Sequence, residues 1–159
     1  MYSPHNVTLV VISEGTGGTT EQQVTYLDGV FLDEDRGLET NKSRLDINKV
    51  GLWPKDFITL YVPLEQVKAT GAENGKPRKY IPVYEYNQKE DKSGFWTVFI
   101  SGRMSTQDCF FVKGKISPGN LLDYSTLRKN GYPCFRVTSI MVRDYGITIK
   151  PFLQIGADE

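Results

Sequence analysis

Apolar and polar positions alternate with a period of two over most of the chain. Residues 57–64 show this best, because one face of the strand they predict is aliphatic: Ile58, Leu60, Val62 and Leu64. Residues 7–12 are almost all apolar, which is typical of a strand buried on both faces. A Gly/Thr-rich turn at residues 14–20 separates them from residues 23–32, so the two segments predict a hairpin.

Other runs rich in β-branched and aromatic residues predict further strands at residues 80–87, 95–100, 109–116, 134–142 and 146–156. Pro82 cannot donate a ladder hydrogen bond, so the first of these strands is expected at a sheet edge. The second and third flank a polar turn and predict a second hairpin.

A single segment has a helical pattern, at about residues 118–130. Pro118 lies near its start, Gly131 lies just past its end, and Ser117 or Asn120 could cap it. Many short strands with one short helix predict a mainly all-β single domain over residues 1–159, either a small β-barrel or a sandwich.

Two long segments, residues 32–55 and 65–79, fit neither pattern and are predicted to be loops. The first is charged and contains Trp53-Pro54, and the second is polar and locally basic. Loops of this length in a compact domain are uncommon and are often functional.

Composition limits the classes of function. The 159 residues carry 19 Lys+Arg and 19 Asp+Glu, so the formal net charge is zero and the basic excess of a non-specific phosphate binder is absent. Two cysteines make no disulfide framework, no secretory signal is recognisable, and no apolar run approaches the roughly 20 residues of a membrane span. The expectation is a protein of a reducing compartment with no membrane association.

Few residues suggest catalysis. His5 is the only histidine, which removes the parts needed for a zinc enzyme or a Ser-His-Asp triad. Cys109 and Cys134 lie in predicted strands, where cysteine is usually a small buried apolar residue. We therefore expect no catalytic residues and no cofactor.

An acidic cluster raises the possibility of a metal site. It consists of Asp33, Glu34, Asp35, Glu39 and Asp46. An EF-hand calcium loop requires fixed ligand spacing, a closing glutamate and flanking helices, whereas here the spacing fails and the flanking segments are predicted to be extended. A solvated charged loop without a metal is the better interpretation.

Interleaved aromatic and basic residues are the clearest candidate for binding chemistry. The aromatic residues are Tyr80, Tyr84, Phe110 and Phe111, and the basic ones are Arg78, Lys79, Lys113 and Lys115. Barrels that bind single-stranded nucleic acid stack bases on such aromatic residues beside cations. Aromatic strand residues are also ordinary core residues, so both interpretations stay open.

The order of these motifs resembles a family of small virion proteins of tailed phages that infect Gram-positive bacteria, which are labelled minor capsid or head–tail connector proteins. The similar segments are "MYSPHNVTLV", "VTYLDGVFLDEDRG", "FITLYVPL", "GFWTVFISGRMSTQDCFFVKGKI" and "FRVTSIMVRDYGITIKPFLQIGA". They span nearly the whole chain in the family's order. Two departures are the separation of Gly102 from Asp108 and the presence of Pro151-Phe152 in the last strand.

The resemblance implies a structural protein of the virion neck, assembled in the host cytoplasm, with no enzyme activity. By analogy of position it implies a stopper, or head-closure, protein: a small β-barrel that forms a homo-oligomeric ring of six or twelve copies. Its expected partners are the portal or adaptor ring, a tail-terminator or tail protein, and the packaged double-stranded DNA in the lumen.

On this hypothesis the two long loops are interaction arms. The candidate interface or lumen residues are Asp35, Arg36 and Trp53 in the first arm and Lys68, Lys76, Arg78 and Lys79 in the second. Trp53 is the expected anchor, since aromatic residues supply much interface energy. The rival interpretations are a tail-terminator or tail-tube ring, an OB-like single-strand-binding module and, last, a small enzyme using Asp and Tyr.

Overall fold

The computed structural model describes residues 5–14, 20–36, 56–101, 108–117, 124–144, 146 and 150–158. These residues form nine strands: β1 (His5–Glu14), β2 (Thr20–Arg36), β3 (Asp56–Pro63), β4 (Lys68–Gly71), β5 (Lys79–Tyr80), β6 (Phe95–Trp96), β7 (Asp108–Lys113), β8 (Cys134–Arg143) and β9 (Phe152–Asp158). They also form two short helices, α1 (Val83–Gln88) and α2 (Tyr124–Lys129).

Six strands close into a barrel in the order β1-β7-β8-β9-β3-β2, because β2 pairs with β1 as well as with β3. All pairings in the barrel are antiparallel. The 17-residue strand β2 reaches both neighbours: it pairs with β1 as far as Val30 and with β3 over residues 31–36. The predicted all-β class and barrel architecture are confirmed.

A β-bulge marks the change of partner along β2. His5 pairs with Val30 and Asn6 with Asp28, so Gly29 is an extra residue on β2. Its φ of 87° lies in the left-handed region that glycine adopts without strain. The bulge bends the strand where it leaves β1 and joins β3.

The barrel interior is filled by alternate residues of the strands. Ile58, Leu60 and Val62 are buried as their alternation predicts, whereas Leu64 lies beyond the end of β3 and only packs against the core. Leu153 and Ile155 of β9 face the same interior. Burying each such side chain contributes about 1.5–3 kcal/mol relative to exposing it.

A second apolar cluster lies on the outside of the barrel, beneath α2. Val10 of β1, Phe110 of β7 and Cys134 of β8 point outward and pack against Tyr124 and Leu127 of the helix. The rings of Phe110 and Tyr124 meet edge to face at 5.5 Å. Residues 7–12 are therefore buried on both faces, as their apolar run predicts, because α2 covers one side. The first six residues of the predicted helix, 118–123, lie outside the described residues.

Two strand predictions are wrong. Residues 80–87 form only the last residue of β5 followed by helix α1, because Pro82 occupies the helix N-cap and Tyr86 N–H donates to its carbonyl at 3.0 Å. Residues 95–100 contribute only the two-residue strand β6, which pairs in parallel with β5 and not with β7. The predicted second hairpin therefore does not form.

Both loop predictions need correction. In the first predicted loop, residues 32–36 instead continue strand β2, since the β3 ladder supports them to Arg36, and residues 37–55 lie outside the described residues. Residues 65–79 contain β4, which pairs with β2 over Thr25–Asp28, and a bridge between Thr70 and Pro77. The polar composition of the second segment reflects turns on a folded strand pair and not an extended arm.

Candidate interaction surface

Reactive groups do not cluster in the described residues. No three His, Cys, Asp or Glu side chains among them come close enough to hold a metal ion. Burial raises the pKa of the Cys109 thiol to about 12 and that of Cys134 to about 11, so both thiols are protonated at neutral pH. Both are free and buried, which confirms their interpretation as core residues. His5 is exposed at the start of β1.

Arg78 is a structural residue of the barrel. Its side chain is only 3% exposed and donates to the carbonyl oxygens of Ser93 (3.0 Å) and Val24 (2.7 Å) and to Thr25 Oγ1 (2.9 Å). It also forms an ion pair with Glu73 at 2.9 Å. The guanidinium thus ties the turn after β4 to β2, and this buried position makes Arg78 a structural residue and not an exposed contact for a partner.

Gly71 creates the space that this arginine occupies. A Cβ at Gly71 would lie 2.7 Å from the guanidinium carbon of Arg78 and 2.5 Å from Asn74 Oδ1. The close approach of backbone and guanidinium therefore requires glycine at this position. Gly71, the buried Arg78 and Glu73 in the turn therefore form one local unit that holds β4 on the barrel.

The other candidates from the second predicted arm are spread over the surface. Lys68 begins β4, Lys76 lies in the turn after it and Lys79 begins β5, and all three are exposed. From the first arm, Asp35 and Arg36 lie at the end of β2. Trp53 lies outside the described residues. No common site formed by these candidates is therefore described.

The aromatic candidates for base stacking divide between core and surface. Phe110 and Phe111 are fully buried, on opposite sides of β7. Tyr80 packs on Trp96 with ring centroids 5.0 Å apart. Tyr84 is exposed on α1, and the ammonium group of Lys115 sits 5.7 Å from the ring of Tyr26. Of the four predicted stacking residues, Phe110 and Phe111 are therefore inaccessible to a base.

An apolar ridge crosses the outer wall of the barrel over β2, β3, β9 and β8. Strand register brings Phe31, Tyr61, Gln154 and Met141 side by side on the outward face of these four strands. Phe152 joins the ridge, with its ring centroid 6.2 Å from that of Tyr61. Phe31 is 37% and Met141 44% exposed, so the ridge meets solvent. We call this wall the open face.

A groove of about 410 Å³ adjoins the ridge, lined by Phe31, Leu32, Asp33 and Tyr61. Next to the ridge runs a row of small residues, since Thr59 pairs with Gly156 and Gly156 with Ser139. The open face carries opposite charges at its two edges: Asp33 is exposed on β2, and Arg143 on β8 donates to Gln154 Oε1 at 3.3 Å and to Met141 Sδ at 3.0 Å. The large side chains of the ridge beside this row of small residues give the open face a shape onto which a complementary protein surface can pack.

The wall that α2 covers has a different chemistry, and we call it the helix face. Arg128 and Lys129 are exposed in the last turn of α2, and Tyr132, just beyond it, is 39% exposed. Arg136 lies beneath the helix, 4.2 Å from the ring centroid of Tyr124, and pairs with Asp108 at 3.6 Å. This face is basic and polar around one aromatic side chain.

Sequence reasoning did not find the open face. Its residues come from four separate strands, and only the register of those strands makes them neighbours. One signal was available: Tyr61 alternates with the buried residues of β3, so it must point outward, and large aromatic residues on an outward face often mark an interface.

Comparison with protein-family models, with curated protein sequences and with solved structures finds no match to this chain. Neither described helix has the length or the apolar character needed to cross a lipid bilayer.

Proposed function

We propose that this protein is a structural component of a tailed-phage virion, a head–tail connector of the stopper type that forms a homo-oligomeric ring in the neck. The ring would sit between the portal or adaptor ring and the tail, in the virion, and retain packaged double-stranded DNA. It would act by steric closure and by interface matching, without catalysis.

The observation that carries the proposal is the open face of a closed barrel. A closed barrel leaves few free strand edges, so its contacts with neighbours must come from its outer walls. One wall exposes a ridge that includes Phe31, Tyr61 and Met141 and crosses four strands, which is the kind of patch that marks an interaction surface. The resemblance of the sequence to phage head–tail connector proteins then supports a ring in the virion neck as the assembly.

The single-strand-binding alternative loses its main support, because Phe110 and Phe111 are buried and cannot stack on bases. A tail-terminator ring fits the same barrel and the same open face. The two ring proposals differ in partner, so the test must include the portal.

Electron microscopy and mass photometry of the purified protein, alone and mixed with portal rings and tail tubes of a tailed phage that infects a Gram-positive host, test the proposal. We expect closed rings with an axial channel that bind the portal-side complex. Rings that bind only tail tubes would favour the tail-terminator function. A protein that stays monomeric with both partners, or that binds single-stranded oligonucleotides in a salt-dependent way, would contradict a connector function.

A further inference from the structure

We propose that the ring closes head to tail, with the helix face of one copy bound on the open face of the next. The inference rests on the proposed ring and names the two surfaces that build it. The occupant of the open face is thus a second copy of this chain, and its contacting element is α2.

The strand order places the two faces on opposite sides of the barrel. In the closed order β1-β7-β8-β9-β3-β2, β7 lies across the barrel from β3, and β1 lies across from β9. The cluster under α2 takes its residues from β1, β7, Cys134 at the start of β8 and Val24 of β2, whereas the ridge lies on β3, β9, Met141 near the end of β8 and Phe31 of β2. The two faces are therefore centred on opposite strands and use different parts of β2 and β8. A cyclic ring requires each subunit to contact its two neighbours through two different surfaces, and these two walls satisfy that requirement.

The apolar surfaces of the two faces differ in shape. The open face offers a ridge with a groove of about 410 Å³ beside Phe31 and Tyr61. The helix face offers a projecting helix with the exposed ring of Tyr132 at its end. A projecting aromatic side chain that enters a groove is a common interface anchor, and tyrosine is enriched at such positions.

Charge complementarity fixes the orientation of the helix on the open face. The last turn of α2 is basic through Arg128 and Lys129. The open face is acidic at its β2 edge through Asp33 and basic at its β8 edge through Arg143. The C-terminal end of α2 therefore lies toward Asp33 of the next copy, and the N-terminal part of the helix lies toward β8.

This orientation brings Ser125 of one copy near Met141 of the next. Both residues are exposed, and the two native cysteines are buried, so a cysteine introduced at either position is the reactive thiol of its variant. The variants Met141→Cys and Ser125→Cys, purified separately with tags of different size, would be mixed and oxidised mildly. The mixed disulfide would then be measured on a non-reducing gel.

The matched control is Asn87→Cys, an exposed residue of α1 that belongs to neither face. We expect the mixed disulfide between Met141→Cys and Ser125→Cys to exceed that between Met141→Cys and Asn87→Cys by about tenfold or more, because a specific contact raises the effective concentration of the two thiols. A dominant disulfide between two Met141→Cys copies would instead mean that the open face binds itself about a two-fold axis, and would overturn the inference.

The failure of this inference can be distinguished from the failure of the proposed function. Rings that form and bind portal but give no preferential disulfide between positions 141 and 125 would overturn the head-to-tail contact and leave the connector function standing. A monomer that neither assembles nor forms the disulfide would overturn both.

A second variant tests the open face without new thiols. We expect Phe31→Lys to lower the ring fraction in mass photometry by about tenfold, because it removes an aromatic ring from the ridge and places a cation in the groove that receives the basic last turn of α2, while Asn87→Lys leaves that fraction unchanged. Circular dichroism of both variants checks that the barrel is intact. An unchanged ring fraction in a folded Phe31→Lys protein would contradict the assignment.

Discussion

Arg78 shows how a charged residue can be more important for folding than for recognition. Its guanidinium makes three hydrogen bonds besides its ion pair with Glu73, and the single ammonium group of a lysine cannot reproduce that planar fork. We expect Arg78→Lys to lower the free energy of unfolding by about 2–4 kcal/mol, measured by urea denaturation. The exposed neighbour Lys79 is the control, since Lys79→Gln should change stability by less than about 0.5 kcal/mol. Equal effects of the two substitutions would contradict a structural role for Arg78.

The buried thiol of Cys109 makes stability depend on alkaline pH. Burial raises its pKa from 9.0 to about 12, so between these values the unfolded chain releases a proton that the folded chain retains. The contribution of this thiol is therefore complete below pH 9 and declines as the pH rises toward 12, by about 1 kcal/mol at pH 10. Urea denaturation at pH 7 and pH 10 measures the loss, which should be smaller in Cys109→Ala even though that variant is less stable at both pH values. An identical loss in both proteins would show that the thiol does not contribute.

At the scale of the element, the sequence predicts a strand correctly where burial alone decides which of its residues are apolar. Strand β3 alternates because one of its faces is buried, and β1 is continuously apolar because the barrel covers one face and α2 the other. The prediction fails at residues 83–88, where Tyr84 and Tyr86 suggest one face of a strand. In the helix they lie on nearly opposite sides, so Tyr84 is 63% and Tyr86 3% exposed. Pro82 predicts an edge strand from the sequence, but in the structure it is the N-cap residue of helix α1.

The open face could not be predicted in the same way. Phe31, Tyr61 and Met141 are separated by long stretches of sequence, and they become neighbours only through the register of four strands. A shift of one residue in any of these ladders would turn the side chain inward. Sequence alone therefore indicates which residues point outward but not which of them become neighbours. It predicts interaction residues in the two long polar segments, because those segments match neither a strand nor a helix.

Helix α2 is held by the external apolar cluster, since a six-residue helix is unstable by itself. We expect Leu127→Ala to lower the free energy of unfolding by about 2–4 kcal/mol, because it removes the buried anchor of the helix. Ser125→Ala, on the exposed side of the same helix, is the matched control and should be nearly neutral. Hydrogen exchange of the α2 amides should also accelerate in Leu127→Ala. Unchanged exchange would mean that other contacts hold the helix.

At the scale of the whole molecule, the two apolar clusters share strands and should unfold as one unit. Strand β7 contributes Phe111 to the barrel interior and Phe110 to the cluster under α2, so neither cluster can open without disturbing the ladder of the other. A ring subunit benefits from this coupling, because a rigid body sets the angle at which the ring closes.

In Trp53→Phe protein, the buried Trp96 is the remaining tryptophan and reports on the interior. We expect its fluorescence and the far-ultraviolet circular dichroism to give coincident urea transitions. An earlier transition by circular dichroism would show that part of the secondary structure melts before the barrel, and such a subunit could not present its helix face at a fixed angle to the next copy.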